Sequence, residues 1–356
     1  MGKKVVIGLS GGVDSSVAAY LLKEKGYECI GVTMRTWQPE NEGALENILR
    51  AEEDARMVAQ HLDIPYHIVD FTKEFDSKIM KYFVDEYMEG RTPNPCTACN
   101  HHIKWNALMT VAEKFGADYV ATGHYARIIE LPNGRYSLMT TPTANKDQTY
   151  ALFRLSQEQL AKTLMPVGEY TKDEIRDIAA RIGISVANKP DSQEICFIPD
   201  NDYAGFIERY TGVEVKPGNF IDVNGNILGK HKGIIHYTVG QRKGLNIALG
   251  HPVFVVELRP ETNEVVLGSN EDVFSKVLYA DNVNFMGISA IDESVSGLKA
   301  KIRYAHKGAE CRVTIDSDGI MKCEFEEPQR AITPGQAVVL YKDDVIAAGG
   351  TIIRAR

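Results

Sequence analysis

The 356-residue sequence predicts an α/β amino-terminal domain followed by a small central β-rich domain and a carboxyl-terminal antiparallel β-barrel. Short apolar strands alternate with helical patterns through the first half, which is typical of a doubly wound parallel sheet. From about residue 210, glycine and short β-rich runs predominate, and the last block alternates strands with tight turns. These observations predict domains over residues 1–209, 210–275 and 276–356.

The sheet predicts where a ligand binds. Its predicted strands are Lys4–Ser10, Cys29–Met34, Tyr66–Phe71 and Tyr119–Gly123, and the helices between them are Ser15–Lys25, Ala44–Leu62 and Ile103–Phe115. Ligands of parallel sheets bind at the carboxyl ends of the strands. Because Ser10, Met34 and Gly123 all lie at such ends, we expect one nucleotide to contact all three.

The remaining elements follow from turn and cap signals. Pro132-Asn133-Gly134 predicts a hairpin between Ala126–Leu131 and Arg135–Met139, and Thr171 is suited to cap a helix over Lys172–Gly183. The predicted strands of the two β-rich domains are Ile221–Val223, Gly233–Tyr237, Val253–Leu258, Val265–Leu267, Arg312–Ile315, Cys323–Phe325 and Ala337–Tyr341.

Composition limits the class of protein. A hydrophobic share of 44% and a charged share of 25% are typical of soluble globular chains, and no apolar run is long enough to cross a membrane. We therefore expect a cytoplasmic protein with no membrane partner. Six cysteines are too few for a disulfide scaffold, so reduced thiols are expected. The net charge of −8 argues against indiscriminate coating of nucleic acid, but it permits local basic patches.

The most informative motif is Ser10-Gly11-Gly12-Val13-Asp14-Ser15-Ser16, between an apolar strand and a helix. A glycine turn at a helix N-terminus presents backbone N–H groups to an anion. No lysine follows the glycines, so this is not a Walker A loop. The motif resembles the SGGxDS loop of ATP pyrophosphatases. That resemblance implies that Gly8, Leu9, Ser10, Gly11, Gly12, Val13, Asp14 and Ser15 bind ATP phosphates, that Asp14 positions Mg²⁺-bound pyrophosphate, and that Met34 and Gly123 line the adenine end.

Two cysteine motifs add a second chemistry. Cys96 and Cys99 lie in Asn94-Pro95-Cys96-Thr97-Ala98-Cys99-Asn100, and Cys196 lies in Asp191-Ser192-Gln193-Glu194-Ile195-Cys196-Phe197. We expect the first pair on a loop near a helix N-terminus, where thiol pKa values are lowered. With an adenylating loop, such thiols suggest that sulfur replaces an activated oxygen.

Metal binding is the alternative for these cysteines. Cys96 and Cys99 with His101 and His102 have partial zinc spacing, and Cys96, Cys99 and Cys196 supply three ligands for an iron–sulfur cluster. No second Cys-x-x-Cys pair is present. We favour cysteine chemistry without a metal, and both metal alternatives stay open at this point.

Two basic segments predict contact with RNA phosphates. Residues 228–251 contain Lys230, Lys232, Arg242 and Lys243 and no acidic residue. A second cluster, opposed only by Glu310, consists of Lys299, Lys301, Arg303, Lys307 and Arg312. A solvated surface usually mixes the two signs of charge, so these segments favour nucleic-acid binding.

Taken together, the motifs resemble the tRNA-specific 2-thiouridylase family along the whole chain. They occur in the order SGGVDSS, NPCTACN, TGHYAR, NKDQTY, DSQEICF, YTVGQRKGL, IRY and PGQ. The resemblance implies ATP-dependent 2-thiolation of the wobble uridine in the tRNA anticodon. In that reaction the C2 oxygen is adenylated and sulfur comes from a cysteine persulfide, with release of AMP and pyrophosphate. ATP, Mg²⁺, tRNA and a persulfide sulfur-donor protein are the implied cofactors and partners.

The same resemblance implies roles for single residues. Cys99 matches the first catalytic cysteine and Cys196 the persulfide carrier, and a Cys99–Cys196 disulfide forms during turnover. Asn94, Pro95 and Cys96 match the target-base motif, although many members have Asn-Pro-Asp where this chain has Cys96. The positions that match tRNA-binding residues are His124, Lys146, Asp147, Gln148, Arg303, Tyr304 and Gln336.

Two other functions compete with this one. A pyrophosphatase ligase that uses ammonia or an amino acid would need the ATP loop but neither the paired cysteines nor the basic segments. A non-catalytic tRNA-binding protein would retain the loop only as a scaffold. ATP–pyrophosphate exchange that depends on tRNA separates the three.

Overall fold

The computed structural model describes residues 2–39, 42–143, 146–184, 186–187, 189, 195–292 and 295–356. The chain forms two compact units. The first consists of Met1–Ile79, Cys96–Pro199 and Asp344–Ile346, and the second of Met80–Pro95, Asp200–Asp343 and Ala347–Arg356. The predicted domain boundaries at residues 209/210 and 275/276 stay a prediction.

The elements are as follows in chain order. The helices are α1 (Val13–Glu24), α2 (Glu42–His61), α3 (Thr72–Phe75), α4 (Lys81–Met88), α5 (Pro95–Cys99), α6 (Trp105–Phe115), α7 (Gln157–Ala161), α8 (Lys172–Arg181) and α9 (Tyr203–Thr211). The strands are β1 (Lys4–Gly8), β2 (Glu28–Arg35), β3 (Tyr66–Asp70), β4 (Tyr119–Ala121), β5 (Arg127–Glu130), β6 (Tyr136–Met139), β7 (Thr163–Leu164), β8 (Gly218–Asp222), β9 (Ile227–His231), β10 (Phe254–Arg259), β11 (Glu264–Gly268), β12 (Phe274–Phe285), β13 (Leu298–Lys301), β14 (Ala309–Ile315), β15 (Met321–Arg330), β16 (Ala337–Lys342) and β17 (Val345–Ala355). Segments Asp76–Met80 and Asn100–Lys104 are π-helical, and Thr149–Leu152 and Ile234–His236 are 3₁₀ turns.

A parallel sheet with strand order β3-β2-β1-β4-β7 organises the first unit. Its central strand β1 pairs in parallel with β2 and β4. Val5, Val6 and Ile7 of β1 are fully buried, as expected for a strand covered on both faces. The predicted α/β class with a parallel sheet is therefore confirmed, and the carboxyl end of β1 leads directly into the glycine loop.

Antiparallel sheets make up most of the second unit. A four-stranded sheet has the order β10-β11-β8-β9, with β8 and β11 parallel. A barrel follows the order β12-β15-β14-β13-β16-β17, and pairing between β12 and β17 closes it. Its core includes Leu278, Phe325 and Leu340. The predicted β-rich segment and barrel are confirmed.

Several predicted elements differ in detail. The strand predicted over Gly233–Tyr237 is wrong, because Ile234–His236 forms a 3₁₀ turn. Gly233 has φ of +131°, which lies outside extended strand geometry, and its N–H donates to His231 Nδ1. The first helix begins at Val13, two residues before the predicted Ser15, so Asp14 lies in its first turn. The predicted hairpin is confirmed by antiparallel β5 and β6.

Across the part of the chain that is described, no helix has the length and apolar character required to span a bilayer.

Candidate functional site

The glycine loop is shaped by a close approach to α2. Gly11 has φ of +66°, and a Cβ atom placed there would lie 2.3 Å from the Ala51 carbonyl oxygen. Gly12 is the N-cap of α1 in extended geometry and supplies no side-chain hydrogen bond. A glycine cap leaves the first N–H groups of the helix to an external anion, since glycine has no side-chain oxygen that could accept their hydrogen bonds.

Serine and lysine side chains fix this loop. The Ser10 N–H donates to Ser15 Oγ at 3.2 Å, and Ser16 Oγ donates to the Gly12 carbonyl at 2.8 Å. Lys189 Nζ donates to the Gly11 carbonyl at 3.0 Å and pairs with Asp54 on α2 at 2.7 Å. The loop is therefore held in shape before any ligand binds. Sequence reasoning missed Lys189, because nothing in its surroundings indicates a contact with the distant glycines.

Asp14, the predicted Mg²⁺-positioning residue, already has two donors. Lys172 Nζ lies 2.7 Å from Asp14 Oδ1 and 2.9 Å from Oδ2, and the Tyr125 hydroxyl donates to Oδ1 at 2.7 Å. Only 8% of the Lys172 side chain is exposed. A capping box formed by Thr171 and Glu174 starts α8 at Lys172 and so fixes its position. That box is visible in the sequence, but the ion pair across 158 residues is not.

Met34 and Gly123 lie close to the same strand end. A Cβ atom on Gly123 would lie 2.6 Å from the Ser15 backbone nitrogen, so only glycine fits against the start of α1. The Met34 Cε atom would lie 3.8 Å from a Cβ atom on Gly8. The structure thus brings the predicted ATP residues to one edge of the sheet.

The paired cysteines do not lie on a loop as predicted. Pro95 begins α5, where proline suits the first helical position, and Cys96 and Cys99 are both within that helix. Cys96 is exposed, whereas Cys99 is 8% exposed. Burial raises the pKa of the Cys99 thiol, and Lys104 opposes that rise. The expected lowering of the Cys99 pKa by a helix N-terminus is therefore wrong, because Cys99 ends α5 and is desolvated.

Cys196 is exposed, and yet dense protein around it raises the pKa of its thiol. Repulsion from Cys99 and Cys96 adds to this rise, and Lys104 opposes it. Because Cys196 itself contacts water, its thiol is accessible to a reaction partner despite the raised pKa. Because such repulsion acts over short distances, it indicates that Cys196 lies near Cys96 and Cys99, although about a hundred residues separate it from them in the chain.

All six cysteines are free thiols. Within the described residues, no group of three or more His, Cys, Asp or Glu side chains is arranged to hold a metal ion. Asp191, Ser192, Gln193 and Glu194 of the second cysteine motif lie outside the described residues.

The predicted tRNA-binding residues of the first unit make internal contacts. His124 Nδ1 is 2.9 Å from Thr122 Oγ1, and burial lowers the His124 pKa well below its usual value, so its ring is neutral at pH 7. Asp147 is buried and accepts a hydrogen bond from Thr149 Oγ1 at 2.6 Å. Gln148 Oε1 accepts from the Tyr125 N–H at 2.9 Å, and Lys146 is half-buried.

The target-base motif spans both units, since Asn94 and Pro95 belong to the second unit and Cys96 to the first. The Asn94 N–H donates to the Tyr82 hydroxyl at 3.5 Å.

In the second unit, Arg303 and Gln336 line a cavity of about 310 Å³. Thr238, Gly240 and Arg330 also line it, and Arg330 was missed because its sequence neighbours include Glu326 and Glu327. Gln336 Nε2 donates to the carbonyls of Thr92 and Pro93, both at 3.1 Å, and Tyr304 is 51% exposed. The four basic residues of segment 228–251 are exposed: Lys230, Lys232, Arg242 and Lys243.

Three family models match the chain. The one described as tRNA methyl transferase HUP domain matches residues 3–200. The tRNA methyl transferase PRC-barrel domain matches residues 204–269, and the aminomethyltransferase beta-barrel domain matches residues 275–352.

Curated relatives match nearly the full length. The tRNA-specific 2-thiouridylase MnmA of Lachnoclostridium phytofermentans is 62% identical over 357 residues, covering 99% of this chain and 100% of the relative. The proteins of the same name from Clostridium perfringens and Clostridioides difficile are 54% and 51% identical, and each match covers 98% of the relative and 98% and 99% of this chain, respectively. A solved 4-thiouridine synthetase–RNA complex with bound ATP has a TM-score of 0.38 and 22% identity over 59% of this chain and 50% of that one, a likeness too distant to bear on the site. On the strength of the full-length relatives, this chain belongs to the tRNA-specific 2-thiouridylase family of enzymes.

Proposed function

We propose that this protein uses ATP to replace the C2 oxygen of the wobble uridine of tRNA with sulfur. The observation that carries the proposal is that one compact unit contains both the glycine loop at the end of β1 and the cluster of Cys96, Cys99 and Cys196. The first is suited to binding ATP phosphates and the second to transferring sulfur. The name shared by the full-length relatives, tRNA-specific 2-thiouridylase, supports tRNA as the substrate.

In the first step, the uridine C2 oxygen attacks the α-phosphorus of ATP, and pyrophosphate leaves. The N–H groups of Gly8–Ser15 and of the first turn of α1 bind phosphate oxygens, while Met34 and Gly123 line the adenine end. Asp14 is the carboxylate suited to Mg²⁺, which would neutralise charge on the leaving pyrophosphate. Because Lys172 holds the same carboxylate oxygens, an incoming cation competes with its ammonium group.

In the second step, Cys196 carries a hydropersulfide loaded by a sulfur-donor protein. The Cys99 thiolate attacks the inner sulfur, so that a Cys99–Cys196 disulfide forms and hydrosulfide leaves. Hydrosulfide then attacks C2 and expels AMP. In the direct variant, the terminal persulfide sulfur attacks C2 first, AMP leaves, and Cys99 then cleaves the sulfur–sulfur bond. Both routes end in the same disulfide, which a dithiol reductant converts back to two thiols.

The tRNA contacts are proposed for two sets of residues. Asn94, Pro95 and Cys96 contact the target base, and the bound RNA meets His124, Lys146, Asp147, Gln148, Arg303, Tyr304 and Gln336. Because Asp147 and Gln148 already have internal partners, we assign them the task of shaping the loop that meets the RNA. The domains proposed to carry these functions are residues 1–209, 210–275 and 276–356, in a protein of the cytoplasm.

A nucleoside digest tests the function. Unmodified tRNA is incubated with the protein, ATP, Mg²⁺, sulfide and a dithiol, and the nucleosides are analysed by mass spectrometry. We expect 2-thiouridine at the wobble position together with AMP and pyrophosphate. Methyl transfer, which the family-model descriptions mention, would instead yield a methylated nucleoside and require a methyl donor. A product that requires ammonia, or tRNA binding without AMP formation, would overturn the proposal in favour of a ligase or a binding protein.

A further inference from the structure

Two arginines line the cavity of the second unit, and neither has an acidic partner. Arg303 lies just after β13, and Arg330 is the last residue of β15. The other lining residues are apolar or uncharged polar, and they include Thr238 and Gln336. Among the described residues, no carboxylate lies within 4.0 Å of either guanidinium group. A cavity whose only charges are positive favours an anion as its ligand.

Contacts with its neighbours hold the Arg330 guanidinium in one orientation. Its Cζ atom lies 5.2 Å from the centroid of the Phe254 ring, and Nη2 donates to the Gly240 carbonyl at 3.3 Å. These contacts use one face of the planar group and one N–H. A guanidinium has several more N–H donors in a fixed planar fork, so most of them are available to a ligand in the cavity. A half-buried arginine that is already held in this way loses little conformational freedom when it binds.

Other polar groups of the lining lie close to one another. Arg303 Nη1 donates to the Arg330 carbonyl at 3.1 Å, so the backbone of one arginine positions the side chain of the other. The hydroxyl oxygens of Thr92 and Thr238, which also line the cavity, are 3.5 Å apart. A hydroxyl can turn its hydrogen towards a phosphate oxygen. The cavity thus combines two cationic forks with neutral donors, and these are the side-chain types that contact phosphates of nucleic acids.

The backbone beside Arg330 is strained where it borders the cavity. Ala331 has φ of +54°, a left-handed value that is uncommon for residues other than glycine. Gly240 has φ of +86°, and a Cβ atom placed there would lie 2.5 Å from the Ala331 Cβ atom. Strained residues persist where the surrounding structure fixes them, and they are concentrated at functional sites. The strain at Ala331 therefore agrees with a ligand site at this place.

Exposed cations beside the cavity indicate a polymeric anion. Arg242 and Lys243 follow the lining residue Gly240 closely in the chain, and both are exposed. Positive charge therefore continues from the cavity onto the surface, as binding to a chain of phosphates requires. The cavity volume of about 310 Å³ also exceeds what one phosphate group fills, so the attached ribose fits as well.

We infer that this cavity binds one phosphate group of the RNA backbone through Arg330 and Arg303, an inference that rests on the proposed function. Each guanidinium fork can donate parallel N–H bonds to the two non-bridging oxygens of a phosphodiester. Contacts with phosphate fix the position of a nucleic acid and do not read its sequence. The site therefore positions the tRNA on the second unit without selecting its bases.

The test combines protein variants with RNAs that lack a single charge. Wild-type protein and the Arg330→Gln, Arg330→Lys and Arg259→Gln variants bind labelled tRNA over a series of KCl concentrations, without ATP. Arg259→Gln is the matched control, because Arg259 is a half-buried arginine of the same unit whose charge is paired with Glu257 at 2.8 Å. The same proteins then bind anticodon stem-loops in which one phosphate at a time is replaced by a neutral methylphosphonate.

We expect Arg330→Gln to weaken tRNA binding about tenfold and to flatten its dependence on log[KCl] by about 0.7 to 0.9. Arg330→Lys should keep the wild-type salt dependence and bind more weakly, because an ammonium group cannot donate in a bidentate manner. Arg259→Gln should match the wild type. One methylphosphonate position should weaken binding by the wild type and have no effect on Arg330→Gln. An unchanged salt dependence in Arg330→Gln, an equal effect of Arg259→Gln, or the same response of both proteins to every methylphosphonate would overturn the inference.

Two further measurements cover a free anion and a misfolded variant. If inorganic phosphate or AMP raised the unfolding temperature of the wild type but not of Arg330→Gln, and that variant bound tRNA normally, the cavity would hold a free anion and the inference would be overturned. If Arg330→Gln has no cooperative thermal transition, wild-type protein is modified with phenylglyoxal with and without tRNA, and its peptides are analysed by mass spectrometry. Bound tRNA should protect Arg330 and not Arg259, and equal modification of Arg330 in both samples would overturn the inference.

These binding measurements require neither ATP nor a sulfur source, so the site and the proposed function can fail separately. A flatter salt dependence in Arg330→Gln, without formation of 2-thiouridine by the wild type, would refute the proposed function alone. Formation of 2-thiouridine by the wild type, with an unchanged salt dependence in Arg330→Gln, would refute the phosphate site alone.

Discussion

The ion pair between Asp14 and Lys172 should couple the phosphate-binding loop to the stability of the first unit. Replacing Lys172 with methionine removes the ammonium group but keeps an apolar stem of similar length. The Asp14 carboxylate would lose contacts at 2.7 and 2.9 Å and keep only the Tyr125 hydroxyl at 2.7 Å. Its side chain is 28% exposed, so water replaces part of what is lost.

The magnitude follows from distance and burial. With an effective dielectric constant of about 20, charges at this separation attract by about 6 kcal/mol before desolvation is counted. Removing one partner of a fully buried pair costs about 3–5 kcal/mol. Because Asp14 keeps Tyr125 and some water, we expect Lys172→Met to lower the free energy of unfolding by about 2 kcal/mol. Asp14→Asn should cost a similar amount, since it leaves a buried ammonium group.

A double-mutant cycle measures the coupling. Urea unfolding of Lys172→Met, Asp14→Asn and the double variant should give a coupling energy of about 1–2 kcal/mol. Lys162→Met is the control, because the ion pair between Lys162 and Glu158 is exposed. The exposed fractions of the two side chains are 52% and 74%, so this pair should contribute less than about 0.5 kcal/mol. The reasoning would be refuted if the effects of the single variants on the free energy of unfolding were additive. It would also be refuted if Lys172→Met lowered that free energy no more than Lys162→Met does.

Three further predictions concern RNA, sulfur and pH. Alanine at the four exposed cations of segment 228–251 should weaken tRNA binding and flatten its salt dependence by about 0.7 to 0.9 per charge removed, whereas an unchanged slope would place the RNA elsewhere. Cys196→Ser should carry no transferable sulfur, while Cys99→Ser should load a persulfide and fail to turn over; equal loading of both in a mass-spectrometric assay would reverse their roles. Burial lowers the pKa of His102 to about 4, so the unfolded state binds more protons between about pH 6.5 and pH 4. Stability should therefore fall as the pH decreases through that window, and His102→Gln should show a flatter dependence in urea titrations; an equal dependence in both would exclude His102 as its source.

Local signals predicted the fold well where they agreed with tertiary packing. The apolar run Val5-Val6-Ile7 of β1 and the glycine loop after it identified the parallel sheet, because a strand buried on both faces needs an apolar run. The same reasoning failed for Gly233–Tyr237, which was predicted to be a strand. Its apolar residues are buried in a 3₁₀ turn, and burial alone does not separate a turn from a strand.

Only the site residues that lie within short sequence motifs could be predicted. The loop and the three cysteines stand out as short patterns, so their residues could be named from the sequence. Lys172 and Lys189 could not be named, because each contacts a group that is distant in the sequence. Sequence reasoning also placed Cys99 on a loop that would lower the pKa of its thiol, whereas burial at the end of α5 raises that pKa.

The lysines of the first unit have different surroundings at the two ends of the proposed reaction. At the phosphate end, Asp14 and Asp54 neutralise Lys172 and Lys189, so the uncharged N–H groups of α1 are left as the main donors to an anion. In the proposed reaction, such donors would bind pyrophosphate without a full ion pair, which would favour its release after adenylation. At the sulfur end, burial raises the pKa of the Cys99 thiol, and Lys104 opposes that rise. The proposed reaction would therefore rely on uncharged donors at the phosphate end, whereas at the sulfur end it would have to ionise a buried thiol.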